Sequence, residues 1–154
     1  MSDFKRQLVD KLQEFCYGDP WVTENFQQRI LSLNSMQAVK KFDLFSHTIA
    51  EIVNHMSAWR NFAAGKLMGD KQFDIKLNTS QDWPPVSSWE DAKKGFVNSQ
   101  TNLVQAINGF ADDQWKEVVP LRTYAFDYLL DGIIKHDYYH YGQIGCILAA
   151  QPAR

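Results

Sequence analysis

The sequence predicts an all-α, up-and-down four-helix bundle with a short extra helix after the first long one, and three observations carry that prediction. Apolar residues recur at steps of three and four in four stretches long enough to span a bundle. Glycine, proline and asparagine clusters separate those stretches. No alternating strand-like run, glycine-rich phosphate loop or repeat of solenoid period is present. At 154 residues the chain reads as a single domain, 1–154, large enough to bury a core without disulfides or a structural metal.

The first helix spans Ser2 to Tyr17, with Phe4, Leu8, Val9, Leu12 and Phe15 on one face, Ser2 as N-cap and Gly18 as stop. Gly18-Asp19-Pro20 is a turn, after which Trp21 to Leu33 resumes as the short extra helix across one bundle end. Asn34 to Phe45 reads as loop with one helical turn. The second long helix opens near Ser46-His47-Thr48, capped by Ser46 or Thr48, and closes at Gly69-Asp70. Its seam steps through Ile52, His55, Trp59 and Phe62. Asp70 to Val86 holds Trp83-Pro84-Pro85 and is a long connection with room for a crossover. Ser87-Ser88-Trp89-Glu90 offers a Ser-x-x-Glu capping box for the third helix, which runs to Gly109. Ala111 to Arg122 is a connection, and Thr123 is the expected cap of the fourth helix, whose seam is Phe126, Leu129, Ile133, His136, His140, Gln143 and Ile147.

Composition excludes several classes. Net charge is −2 and the basic residues are scattered, which argues against nucleic-acid binding. The start M-S-D-F-K-R-Q has no apolar run followed by a cleavage site, and no segment reaches about 18 uninterrupted apolar residues. The expectation is a cytoplasmic protein without a membrane partner. Cys16 and Cys146 lack metal-ligand or redox spacing and read as reduced thiols, with Cys146 a small packing residue.

The most informative stretch is Ile133 to Ile147, where His136 and His140 stand four residues apart on one helix face. With His55, they put three imidazoles at positions that otherwise hold Leu, Ile or Phe, and a buried imidazole needs a partner for each ring nitrogen. One shared divalent transition metal, held by His55, His136 and His140, answers that need and leaves a coordination position open, as in catalytic sites. Zinc or nickel suits imidazole best, with iron or manganese as lesser alternatives. Glu51, four residues before His55, and Asp137, beside His136, are the candidate carboxylates behind the ligands. His47 lies off the seam at the helix start. His136-Asp137-x-x-His140 is a poor match to the zinc-peptidase motif H-E-x-x-H, and the Glu-x-x-His pairs of di-iron bundles are missing.

Gly18-Asp19-Pro20-Trp21, His47-Thr48-Ile49-Ala50-Glu51, Asn54-His55, Ala58-Trp59-Arg60, Asp82-Trp83-Pro84-Pro85 and His136 through Ile144 resemble, in order, the DinB/YfiT-like superfamily of metal-dependent enzymes. That resemblance covers nearly the whole chain. It implies a four-helix bundle binding nickel or zinc through one histidine of the second helix and two of the last, which match His55, His136 and His140. It also implies a small-molecule substrate. Characterised members include transferases and isomerases that use bacillithiol, mycothiol or glutathione, others are labelled hydrolases, and homodimers are common. The leading expectation is a transferase that uses a low-molecular-weight thiol on a small electrophile. A metal-dependent hydrolase and a non-catalytic metal- or ligand-binding protein are the alternatives. Trp21 and Asn25, at a bundle end, and Trp59 and Gln143, on the seams beside ligands, are the candidate pocket walls. No catalytic side chain is read beyond these.

Overall fold

The computed structural model describes residues 2–21 and 24–151. Four long helices make the bundle: α1 (Asp3–Tyr17), α3 (Ile49–Leu67), α4 (Trp89–Gly109) and α5 (Phe126–Ala149), with the short α2 (Ser35–Val39) between the first two. The Ser2 side chain caps α1 by accepting from the Lys5 amide. Gly18 ends it, because a Cβ there would lie 2.7 Å from the Glu14 Cα. The extra helix expected over Trp21–Leu33 is a five-residue π-helical turn, Gln27–Leu31; positions 22–23 of that stretch lie outside the described residues.

Three helix starts refine the sequence expectation. Thr48, rather than Ser46, caps α3 through a reciprocal box with Glu51. The cap of α4 is Ser88, one residue later than the expected Ser87; its hydroxyl accepts from the Asp91 amide at 3.0 Å, so Glu90 closes no box. Thr123 does not cap α5, which begins after Ala125 with no side-chain cap. The physical reason is the preceding loop. Val118 and Ala125 form an isolated antiparallel bridge, and the first free amides of the helix, Phe126 and Asp127, donate to the Glu117 and Trp115 carbonyls at 3.1 and 3.0 Å.

The core divides into two apolar clusters, and the helix halves in each one give the topology. Leu8 and Leu12 of α1, Phe62 to Leu67 of α3, Leu103 to Ile107 of α4 and Phe126 to Ile133 of α5 share one end. Phe15, Ile49 to Met56, Trp89 to Phe96 and Tyr141 to Ile147 share the other. The order is therefore up-down-down-up, so the expected up-and-down alternation breaks between α3 and α4. The connection over 68–88 is the crossover that returns the chain along the bundle. Between the clusters lies a polar waist. Arg60 is wholly buried there, and Asp137 is 1% exposed. The Arg60 Nε and Nη2 atoms donate to Asp137 at 2.6–3.2 Å, Nη1 donates to Gln100 Oε1 at 2.5 Å, and Gln100 Nε2 donates to the Leu12 carbonyl at 3.2 Å. The three histidines occupy the α3–α5 side of the same level. Among the described residues, no helix is long and apolar enough to cross a membrane.

Candidate metal centre

The seams of α3 and α5 meet at the waist, and that meeting brings His55, His136 and His140 together. The His136 Nε2 lies 3.0 Å from the Nε2 of His55 and 3.0 Å from that of His140. All three ligand atoms fall within 4.8 Å of one another. The spacing suits nitrogens that share an ion at about 2.0–2.1 Å each.

Proton counting tests whether the histidines fit a metal. His55 Nδ1 is 2.7 Å from the Asp82 carbonyl oxygen, an acceptor only, so Nδ1 carries the hydrogen and Nε2 presents a lone pair. His140 Nδ1 is 2.8 Å from Gln143 Oε1, which fixes the same tautomer when the amide oxygen faces the ring. Two lone pairs thus face His136 Nε2, which has one hydrogen at most to offer. Its buried Nδ1 has no partner among the described residues in either tautomer, so the crowding of lone pairs at Nε2 decides the fit. A cation accepts all three lone pairs together, so this donor set fits a divalent ion. Burial holds the imidazoles neutral, as ligation requires: it lowers the His55 pKa, brings His140 to about 4 and, with His140 and His55 adding to the effect, brings His136 to about 3.

Both expected carboxylates are engaged elsewhere. Glu51 Oε2 accepts from the Thr48 amide at 2.7 Å in the α3 capping box and is 3.7 Å from His47, since that local bond at the helix start outcompetes a reach to His55. Asp137 points into the waist and is held by Arg60. The partners behind the ligands are Asp82 and Gln143. Asp82, 3% exposed, offers His55 its carbonyl, with Oδ1 at 3.2 Å from Nδ1; its carboxylate also accepts from Trp59 Nε1 and from the Asn78 amide, each at 2.8 Å. The Asp82-Trp83-Pro84-Pro85 stretch was the signal for it. Trp83 stacks on His55 with centroids 3.9 Å apart, and His47 stacks on its other face at 3.6 Å. The crossover therefore closes the site, anchored by Asn54 Nδ2, which donates to the Pro84 carbonyl at 3.0 Å.

A cavity of about 380 Å³ adjoins His55 and His136, walled by Trp59, Leu77, Tyr124, Tyr128, Leu129 and Ile133. Trp59 lines this cavity. Gln143 is a ligand's hydrogen-bond partner and not a wall. Trp21 is 96% exposed and away from the cavity, and Asn25 is spent on its own turn, donating to the Gly18 carbonyl and accepting from the Gln28 amide. Cys146, expected as a packing residue, is exposed, whereas Cys16 is buried beside Arg60, and burial raises its thiol pKa to about 11.

An all-helical bundle whose waist carries three convergent imidazoles defines a class of histidine-cluster proteins able to hold a metal ion. Within that class, the chain belongs to the DinB superfamily, whose family profile matches residues 21–144. No curated relative matches the chain.

Removing a partner behind a ligand gives a graded test. Gln143→Leu leaves His140 Nδ1 unpartnered and is expected to weaken metal affinity roughly 10–100-fold, measured by competition with a chromogenic chelator. Glu51→Ala should leave that affinity unchanged and lower stability by about 1 kcal/mol through loss of the bond it accepts from the Thr48 amide.

Proposed function

We propose that the protein is a metal-dependent transferase that moves the sulfur of a low-molecular-weight thiol onto a small electrophile. The observation that carries this reading is the convergence of three neutral imidazoles beside a cavity in which no carboxylate is disengaged among the described residues. Nickel or zinc bound by His55, His136 and His140 would supply positive charge that favours the deprotonated form of a thiol near neutral pH. A thiol needs only that help, whereas attack by water draws more on a general base, and Asp82, Glu51 and Asp137 are all occupied. In the transfer, a sulfur–carbon bond forms, the thiol proton passes to solvent, and the leaving group departs with its bonding electrons. His55 and His140 are held in one tautomer by Asp82 and Gln143, and Trp83 fixes the plane of the His55 ring. Trp59, pinned by its bond to Asp82, shapes the cavity wall.

The test is a thiol-consumption assay with bacillithiol, mycothiol and glutathione against a panel of alkylating electrophiles, using metal-loaded and chelated protein. The expected result is consumption by the loaded form alone. Metal-dependent turnover of an ester or amide, with none of any thiol, would replace this reading with a hydrolase.

A further inference from the structure

The chamber beside His55 and His136 has a chemistry of its own. Apart from Asp82, its remaining walls are aromatic, aliphatic or glycine, with no lysine or arginine among them. The one carboxylate, on Asp82, already accepts from Trp59 and Asn78. Tyr124 and Tyr128 pair with centroids 5.5 Å apart. Leu77 and Tyr128, each 66% exposed, form the mouth. Such a lining rewards a flat apolar body and offers a carboxylate or sulfonate no cation among its walls, only tyrosine hydroxyls, away from the centre.

Gly132 stands at the mouth. It stands one helical turn before His136, on the same face of α5, and lines the chamber. It is solvent-exposed, like Leu77 and Tyr128, and a Cβ built on it meets nothing within 4 Å, so neither crowding nor a left-handed backbone calls for glycine there. Glycine inside a helix is less stable than alanine, and what the position gains here is a wider mouth. An apolar cavity of about 150 Å³ accepts benzene, and the roughly 380 Å³ here takes a substituted single ring or a fused pair.

We propose that this chamber binds the electrophile's uncharged aromatic body, with Gly132 keeping its mouth wide enough to admit it. The assignment of that body to an electrophile rests on the transferase reading, but the binding itself does not. The probes are 2-naphthylmethanol and 2-naphthalenesulfonate, titrated by calorimetry into metal-loaded and chelated protein, so that the walls are tested apart from the metal and the reaction. The neutral probe is expected to bind both forms, and the sulfonate to bind the chelated form at least about tenfold more weakly. Gly132→Leu should weaken the neutral probe at least about tenfold with metal content unchanged. Gly132→Ala should weaken it less while raising Tm by about 2–4 °C, and it carries the size test if the leucine variant does not fold. Absence of neutral-probe binding, tighter binding of the sulfonate to chelated protein, or full affinity in folded Gly132 variants would overturn the proposal. Binding that survives in a protein found to use no thiol would retain the chamber and remove the transferase reading.

Discussion

Alanine at His55, His136 or His140 is expected to remove bound metal while leaving the fold in place. Purified wild-type protein should carry about one divalent ion per chain by elemental analysis, and each variant should fall to background after gel filtration. The reason is the shared lone-pair geometry. His136 Nε2 sits 3.0 Å from both of the other Nε2 atoms, so each ring would contribute one bond to a shared ion. Deleting one costs more than losing an outer partner, itself worth roughly 10–100-fold. The fold should survive because apolar clusters on either side of the waist pack all four long helices without the ion, so far-UV circular dichroism stays unchanged on chelation. Metal retained by both His55→Ala and His140→Ala would remove the site. Acid has a defined sign for the chelated protein. The unfolded imidazoles take protons near 6.5, while folded His140 and His136 resist until about 4 and about 3, so the unfolded state binds more protons in between. Stability of the chelated form should therefore fall as pH drops from about 6.5 toward 4, as read by urea midpoints.

Whatever local periodicity encodes was legible in the sequence. The three-four spacing of Ile52, His55, Trp59 and Phe62, and of Ile133, His136 and His140, placed the three imidazoles on facing seams, and the helices bring them there. Partners supplied by distant main chain were not. His55 is oriented by a carbonyl 27 residues away, and a carbonyl leaves no residue-type signature. Glu51 was misread because two local patterns overlap on it: it is four residues before His55 and three after Thr48, and the capping bond needs no tertiary structure to form. Thr123 failed as a cap for the reverse reason. The loop over 115–119 supplies carbonyls to the first amides of α5, a tertiary solution that no capping side chain announces. Trp21 shows the limit of reading aromatics as pocket walls, since only the fold decides whether a turn faces a cavity or solvent.

Asp137 is where a stability measurement separates two roles that the sequence merged. Adjacent to His136, it was expected behind a metal ligand; instead, both carboxylate oxygens accept from Arg60, which is also stacked 4.4 Å over the Phe96 ring. Burial pushes the Asp137 carboxyl up and the guanidinium pulls against it, so the charged pair exists only while both members are present. Arg60→Met or Asp137→Leu alone strands a partner in a dry waist and is expected to cost about 3–5 kcal/mol, measured by urea denaturation monitored through tryptophan fluorescence. The double variant Arg60→Met/Asp137→Leu should recover most of that loss, because two apolar chains of similar bulk suit the surrounding clusters and need no partner. Metal affinity should stay within about threefold of wild type in all three folded variants, since no hydrogen bond joins Arg60 or Asp137 to an imidazole and an outer partner would cost 10–100-fold. A single Asp137→Leu that binds metal tenfold more weakly at unchanged stability would return the carboxylate to the metal site. The double variant remaining as unstable as the singles would mean that the network, from Leu12 through Gln100 to Arg60, specifies how α1 and α4 meet α3 and α5.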